Sequence, residues 1–213
     1  MCRLLAIRSK TKFAIHKQLQ IFASLCKNSK EYQGHGWGCA YKDNSGGWKY
    51  YRNVKPIWED TFDAFPESTF LIAHARSAFQ DKDIVVENNM PFYDDNLIFT
   101  FNGELQGVTI RENGRTGAQK IFHMIQKETK KQKTEKAIEN VVEEIKQRSR
   151  YIKAFNVIIS DKERIFVVNI YNENPEYFQM YYKENEKGIT ICSEHYPHEK
   201  DCKKVPTSNV TVF

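Results

Sequence analysis

The chain has 213 residues with 40% hydrophobic and 13% aromatic content, which is enough to bury a core and excludes a disordered or low-complexity protein. Lys and Arg number 32 against 27 Asp and Glu, a net charge of +5 that is too small to predict a nucleic-acid-binding protein. We therefore predict a single folded domain over residues 1–213.

Targeting segments and disulfides are not expected. No uncharged apolar stretch approaches the roughly 18 residues of a membrane span, and charges interrupt the short apolar run at the N-terminus. The five cysteines are odd in number and scattered, with no Cys-x-x-Cys pair. We predict reduced thiols, a cytoplasmic protein, no membrane or nucleic-acid partner, no cofactor and no metal site.

The first half of the chain predicts strands around one helix. An apolar run over residues 3–8 predicts a buried strand, and the apolar spacing over 13–26 predicts a helix. Aromatic residues on both sides of residues 43–47 predict a β-hairpin with a five-residue connection. Apolar runs over 70–75 and 96–101 end at polar residues, as expected of central strands whose ends carry a site.

The second half predicts helices followed by strands. Thr116 and Gln119 have the form of a capping box, and helical apolar spacing follows over 118–125. The same spacing over 138–145 predicts a second helix or a continuation of the first. Four further strands are predicted over residues 154–160, 164–171, 177–183 and 189–193. Because helices and strands do not alternate strictly, we predict an α+β fold.

Cys2 is the first candidate for chemistry. A small second residue permits removal of the initiator Met1, which leaves a cysteine whose α-amine has a pKa of about 7.7–8.0. Such an amine is partly neutral near neutral pH and can act as the base for the thiol of its own residue. On this position alone, a chance cysteine is the simpler interpretation.

Two further motifs follow predicted strands. Arg76 offers a planar set of donors to a substrate carboxylate, although an isolated Arg more often forms a surface or structural salt bridge. The Asn102 amide and the Gly103 N–H suit an oxyanion hole, although an Asn-Gly pair by itself favours a type I′ hairpin turn.

Taken in order, six motifs resemble the class II glutamine amidotransferases, which are N-terminal nucleophile hydrolases, in their small stand-alone form. The resemblance spans nearly the whole chain and is densest over residues 1–105. The motifs are Cys2, His35-Gly36-Trp37-Gly38, His74-Ala75-Arg76, Glu87-Asn88-Asn89-Met90-Pro91-Phe92, Phe101-Asn102-Gly103-Glu104-Leu105 and Ser193-Glu194.

The resemblance implies a fold and a reaction. The implied fold is a four-layer αββα sandwich of two antiparallel sheets. Cys2 would attack the side-chain amide of glutamine or a γ-glutamyl compound, while Asn102 and Gly103 hold the oxyanion. Arg76 would hold the α-carboxylate, within a substrate-binding set that also includes Ser77 and Trp37.

One position departs from the family pattern. Family members usually carry an aspartate at the helix start that pairs with the substrate α-ammonium, where this chain has Gly117 beside Arg115. Three interpretations stay open: Glu104 or Glu112 substitutes, the amine of the substrate is absent or acylated, or glutaminase activity is lost.

The remaining expectations concern partners and histidines. A stand-alone domain has no acceptor site of its own, so a synthase that accepts ammonia is a candidate partner. A catalytically silent binding or regulatory subunit is the alternative from another functional class. An N-terminal cysteine mechanism needs no histidine, so we expect structural or surface roles for His35, His74, His123, His195 and His198.

Overall fold

The computed structural model describes residues 1–197, 201–207 and 209–213. These residues form twelve strands and four α-helices. In chain order the elements are β1 (Arg3–Ala14), α1 (Ile15–Lys27), β2 (Trp37–Lys42), β3 (Trp48–Asn53), β4 (Glu67–Ala75), β5 (Phe92–Tyr93), β6 (Ile98–Gln106), α2 (Gly117–Thr129), α3 (Thr134–Arg148), β7 (Tyr151–Ser160), β8 (Ile165–Tyr171), α4 (Pro175–Phe178), β9 (Tyr181–Asn185), β10 (Gly188–Cys192), β11 (Lys203–Lys204) and β12 (Val210–Val212).

The chain divides into two compact units. The first unit comprises Met1–Pro91 and Met180–Lys204, and the second comprises Phe92–Gln179 and Val205–Phe213. Each unit contains one antiparallel sheet with its helices, so the predicted α+β class with two antiparallel sheets is confirmed. The single domain over 1–213 stays a prediction.

The first unit is built on a seven-stranded sheet in the order β11-β9-β10-β1-β4-β2-β3. Helix α1 covers one face, and its side chains Leu19 and Phe22 are fully buried in a cluster that includes Leu5 of β1 and Leu71 of β4. Burial of each such side chain contributes about 1.5–3 kcal/mol. Because side chains alternate along a strand, the neighbours of Leu5 and Leu71 lie on the other face.

The second unit is built on a five-stranded sheet in the order β12-β8-β7-β6-β5. Phe122 of α2 packs on Phe99 of β6, with ring centroids 5.5 Å apart. Thr116 caps α2, since its side chain accepts a hydrogen bond from the Gln119 N–H. This confirms the predicted capping residue.

Several predicted boundaries are wrong. The strand predicted over residues 3–8 continues to Ala14, and α1 begins only at Ile15, because the end of β1 pairs with β4. Tyr177 and Phe178 belong to α4 rather than to a strand, because Pro175 begins a short helical turn there. The strand predicted to end at Phe101 continues to Gln106. Among the described residues, no helix has the length and apolar character needed to cross a membrane.

Candidate active site

In the first unit, Cys2 and Arg76 lie at neighbouring strand ends. Arg3 of β1 pairs with Ala75 of β4, which places Cys2, just before β1, next to the residues that follow β4. The Cys2 Sγ accepts the Ser77 N–H at 3.5 Å and lies 3.7 Å from the Ser77 carbonyl oxygen, to which the thiol donates. The structure therefore brings together Cys2, Arg76 and Ser77.

The surroundings of Cys2 set the protonation of its thiol. Enclosure of the thiol raises its pKa, and the N-terminal ammonium, the Ser77 N–H and the Arg76 guanidinium partly oppose this rise. Glu31 adds to it. A thiol with a raised pKa is protonated at neutral pH, so it needs a base before it can act as a nucleophile.

Arg76 is buried and holds the loop that follows β4. Its Nη1 donates to the Asp83 carbonyl at 2.9 Å, and its Nη2 lies 3.5 Å from the Lys82 carbonyl. Within the described part of the chain, its guanidinium forms no ion pair with a carboxylate, so the salt bridge considered from the sequence is not formed. A guanidinium has five N–H donors, which is more than this loop uses.

Trp37 belongs to the core of the first unit. Its side chain is fully buried in the cluster under α1, and its indole N–H donates to Asp60 Oδ2 at 2.9 Å. Tyr51 and Asn53 donate to the same oxygen, at 2.7 and 2.8 Å. The indole exposes no surface to a ligand, so we assign Trp37 to support of β2, and its predicted contact with substrate stays untested.

The segments that contain Gly36 and Asn89 pack closely against each other. Gly36 has a φ of +105°, and a Cβ there would lie 2.1 Å from the Asn89 side-chain nitrogen. That nitrogen donates to the Asn53 carbonyl at 2.8 Å. Only glycine therefore permits the buried Asn89 amide to join these loops.

The Ser193-Glu194 motif anchors the start of β1, directly after Cys2. Ser193 Oγ accepts the Leu4 N–H at 2.9 Å, and the Ser193 carbonyl accepts from Arg3 Nη1 at 3.3 Å. Glu194 pairs with Arg3 Nε at 3.2 Å. The sequence offered no role for these residues, because they lie far from Arg3 along the chain.

Met1 is held by two residues of the first unit. Its ammonium forms an ion pair with Glu31, and its carbonyl accepts from the Gln33 side-chain nitrogen at 2.5 Å. With Met1 attached, the nitrogen of Cys2 is an amide and has no basic lone pair. The amine base predicted for Cys2 therefore requires removal of Met1.

The histidines have mainly structural contacts. His74 is fully buried within β4, His123 Nδ1 lies 2.8 Å from the Asn113 carbonyl oxygen, and the tilted His195 ring contacts the Tyr181 ring. His198 lies outside the described residues. His35 differs because it bonds to the loop beside Cys2, and sequence analysis missed this contact.

In the second unit, Asn102 and Gly103 lie inside β6. They pair with Asn156 and Phe155 of β7, so the type I′ turn considered from the sequence is wrong. A Cβ at Gly103 would lie 2.2 Å from the Ala154 carbonyl oxygen. Gly103 is therefore required by the close approach of β7.

A row of buried amides extends from Asn102 across this sheet. Asn102 pairs with Asn156, and Asn156 pairs with Asn169 of β8, so the three side chains lie on one face. Asn169 Nδ2 donates to Asn156 Oδ1 at 2.8 Å and to the Phe178 carbonyl at 2.9 Å. Its Oδ1 accepts from Gln179 at 2.9 Å.

Asn169→Ala is expected to destabilise the second unit by about 3 kcal/mol, because each buried polar group that loses its partner costs about 1–3 kcal/mol. Tyr171→Phe is the matched control, since it removes only the bond from the Tyr171 hydroxyl to Gln179 and should cost about 1 kcal/mol. Urea unfolding of both variants measures the difference. Equal losses would contradict this account of the amide row.

Comparison with known proteins decides the family. The family model for class II glutamine amidotransferases matches residues 1–173. The chain belongs to the class II glutamine amidotransferases. No curated protein sequence matches this chain.

Solved structures similar to this class II glutamine amidotransferase show its fold. A glutamine aminotransferase class-II domain protein from Silicibacter pomeroyi is 15% identical, with a TM-score of 0.69 over 99% of this chain and 94% of the other. A predicted glutamine amidotransferase from Pseudomonas aeruginosa is 14% identical, with a TM-score of 0.62 over 100% and 97%. The glutamine phosphoribosylpyrophosphate amidotransferase from B. subtilis is 14% identical, with a TM-score of 0.63 over 90% of this chain and 42% of that protein. The predicted N-terminal nucleophile hydrolase fold is thereby confirmed.

The position at which class II glutamine amidotransferases usually carry an aspartate is open in this structure. Gly117 is exposed, and a Cβ there would meet nothing within 4 Å. The two carboxylates considered as substitutes are already paired. Glu104 contacts Lys153 at 3.2 Å, and Glu112 contacts Lys127 at 2.6 Å.

Proposed function

We propose that this chain hydrolyses the side-chain amide of glutamine or of a related γ-glutamyl compound. Cys2 is the nucleophile, and its α-amine, exposed by removal of Met1, is the base. Asn102 and Gly103 donate to the oxyanion, and Arg76 binds the carboxylate of the substrate. The thiol of Cys2, held against Ser77 beside Arg76, is the observation that carries this proposal.

The α-amine of Cys2 accepts and returns the proton in both half-reactions. In the first, the α-amine takes the proton of the Cys2 thiol, the sulfur attacks the amide carbon, and the C–N bond breaks as ammonia leaves with that proton. In the second, water loses a proton to the same amine and attacks the thioester. The C–S bond breaks, the carboxylic acid leaves, and the sulfur regains a proton.

In the chain that retains Met1, burial raises the pKa of the Cys2 thiol, which supports the assignment of the sulfur as nucleophile and of a separate group as base. Because the thiol is protonated near neutral pH, a base must remove the proton at the time of attack. An α-amine with a pKa of about 7.7–8.0 is well matched to that task.

Intact mass and covalent trapping test the proposal. Protein lacking Met1 is treated with 6-diazo-5-oxo-L-norleucine, a glutamine-like electrophile, and a second sample with iodoacetamide. A single adduct on Cys2 that glutamine prevents is the expected result. Absence of both adducts would support a catalytically silent subunit and overturn the proposal.

A substrate whose amine is acylated or absent is the second candidate. Gly117 supplies no carboxylate, Glu104 and Glu112 are paired with lysines, and Arg115 is exposed beside Gly117. Alkylation of Cys2 by iodoacetamide without trapping by the glutamine analogue would favour this candidate over free glutamine.

Gly117→Asp is expected to raise kcat/KM for free glutamine about tenfold, because one charge-assisted contact contributes about 1.5 kcal/mol. Glutamate release measures the gain. Gly117→Asn is the matched control, since it has the same size without the charge, and N-acetylglutamine should show no gain. An equal gain in the asparagine variant would contradict the role of the carboxylate.

Ammonia released by this reaction passes to water or to a synthase that accepts it, and no acceptor is assigned within this chain. The cytoplasmic location expected from the sequence also stays a prediction.

A further inference from the structure

Residues 77–85, which follow β4, are here called the post-β4 loop. A few hydrogen bonds from other residues hold this loop in place. Near its start, His35 Nδ1 accepts the Ala78 N–H at 2.8 Å. Near its end, the Asp83 carbonyl accepts from Arg76 and from Asn88, both at 2.9 Å. Side chains outside the loop therefore hold both of its ends.

The loop needs these anchors because its backbone is strained. Gln80, Asp81 and Asp83 have φ values of 53°, 54° and 53°, in the left-handed region that side chains with a Cβ disfavour. Such a conformation persists only where its surroundings hold it in place.

The His35 anchor lies one residue from the contact with Cys2. Ala78 donates to His35, and the preceding residue, Ser77, donates its N–H to the Cys2 Sγ. His35 is tied to the same strand end a second time, since its own N–H donates to the Arg76 carbonyl at 3.0 Å. The imidazole therefore helps to hold the Ser77 backbone beside the thiol, together with the bond from the Arg76 N–H to the Gly36 carbonyl at 2.8 Å.

We propose that His35 is a positioning residue for the nucleophile: its unprotonated Nδ1 holds Ala78, and through it the Ser77 N–H, against the Cys2 thiol. The consequence for catalysis rests on the proposed function, whereas the consequence for the reactivity of the thiol does not. An N–H directed at the sulfur favours the thiolate. Loss of the anchor therefore makes Cys2 less reactive.

The ring must be neutral to serve as this anchor. A Nδ1 that accepts an N–H carries no proton, so the proton is on Nε2, which lies 3.5 Å from Asp81 Oδ1. Protonation of Nδ1 would place two donors opposite each other and break the bond to Ala78.

The groups around the ring oppose its protonation on balance. Burial lowers the pKa of His35, and Arg76 and the N-terminal ammonium lower it further, while Asp81 raises it. The Tyr32 ring packs edge-on at 5.0 Å. Because the pKa is lowered, the anchor is intact at neutral pH and is lost only below the ordinary histidine range of about 6.5.

Alkylation of Cys2 in protein lacking Met1 tests this inference. Rates with iodoacetamide are measured from about pH 4.5 to 8.5 for wild type, His35→Leu and His35→Asn. They are read from the mass of the N-terminal peptide after digestion, because Cys202 is also a partly exposed thiol. His35→Leu should slow alkylation about fivefold at neutral pH, because Ser77 no longer stabilises the thiolate. His35→Asn should restore the rate, because its Oδ1 can accept the Ala78 N–H in place of Nδ1.

The pH profile separates positioning from a general structural effect. Wild type should lose additional reactivity below the pKa of His35, and His35→Asn should lack this acid-side loss because its amide does not titrate. His195→Asn is the matched control and should behave as wild type, because His195 belongs to the same unit and its ring contacts that of Tyr181.

Each outcome decides the inference. The inference would be overturned if His35→Leu were alkylated at a rate within about twofold of wild type. It would also be overturned if the alkylation rates of wild type and His35→Asn fell in the same way at low pH. If His35→Leu does not fold, the wild-type and His35→Asn profiles still decide. If alkylation follows the expectation but no amide is hydrolysed, the inference holds and the proposed function fails.

Discussion

Cys2→Ala is expected to lose amide hydrolysis by at least about a thousandfold, because no other group in the proposed mechanism can form the thioester. The fold should persist. Cys2 lies before β1 and keeps part of its surface exposed, so loss of its thiol should change the free energy of unfolding by about 1 kcal/mol or less. Glutamate or amine release and thermal unfolding of the same sample measure the two effects.

Cys202→Ala is the matched control for this variant. Cys202 is also a partly exposed cysteine of the first unit, and its loss should leave hydrolysis unchanged. Turnover of Cys2→Ala at the wild-type rate would contradict the mechanism. Loss of activity in both variants would instead indicate that the substitutions disrupt the fold.

An N-terminal extension separates the role of the amine from that of the thiol. A chain that retains residues before Cys2 keeps the sulfur but has an amide nitrogen in place of the base. It should therefore be inactive until a protease exposes Cys2, and activity should return on cleavage. Full activity of the extended chain would show that another group removes the proton.

Local patterns predicted the regular elements of this fold well. The hairpin around residues 43–47, α1 and the Thr116 cap each depend on residues close together in the chain, and each is present. β6 was predicted too short because its continuation depends on pairing with β7, and β7 lies about 50 residues later. Local spacing carries no information about such a partner.

The residues of the candidate site also differ in how well the sequence predicted them. Cys2 was identified from its place after the initiator Met1, and Arg76 from its place after a predicted strand. The pairing of Arg3 with Ala75 brings the two together. His35 was assigned only a structural or surface role, because its bond to Ala78 spans 43 residues and depends on the shape of a loop. The substrate roles of Arg76, Ser77 and Trp37, and the oxyanion roles of Asn102 and Gly103, stay predictions.

Arg76→Ala is expected to raise KM for glutamine about 30- to 100-fold with a smaller effect on kcat. A bidentate contact between a guanidinium and a carboxylate contributes about 2–3 kcal/mol, and the proposed clamp holds the same carboxylate in the ground state and in the transition state. Arg76→Lys retains the charge without the planar set of donors, so its KM should lie between those of wild type and the alanine variant.

The second role of Arg76 requires a control, because its guanidinium also holds the Asp83 carbonyl. The substrate pair glutamine and 4-aminobutanamide, which lacks the α-carboxylate, separates the two roles. Loss of the clamp lowers kcat/KM for glutamine and leaves that for 4-aminobutanamide nearly unchanged. Collapse of the post-β4 loop lowers both by the same factor, because it displaces the Ser77 N–H from the Cys2 thiol whatever the substrate carries. A fall confined to glutamine therefore assigns the carboxylate to Arg76, and an equal fall assigns Arg76 to the loop alone.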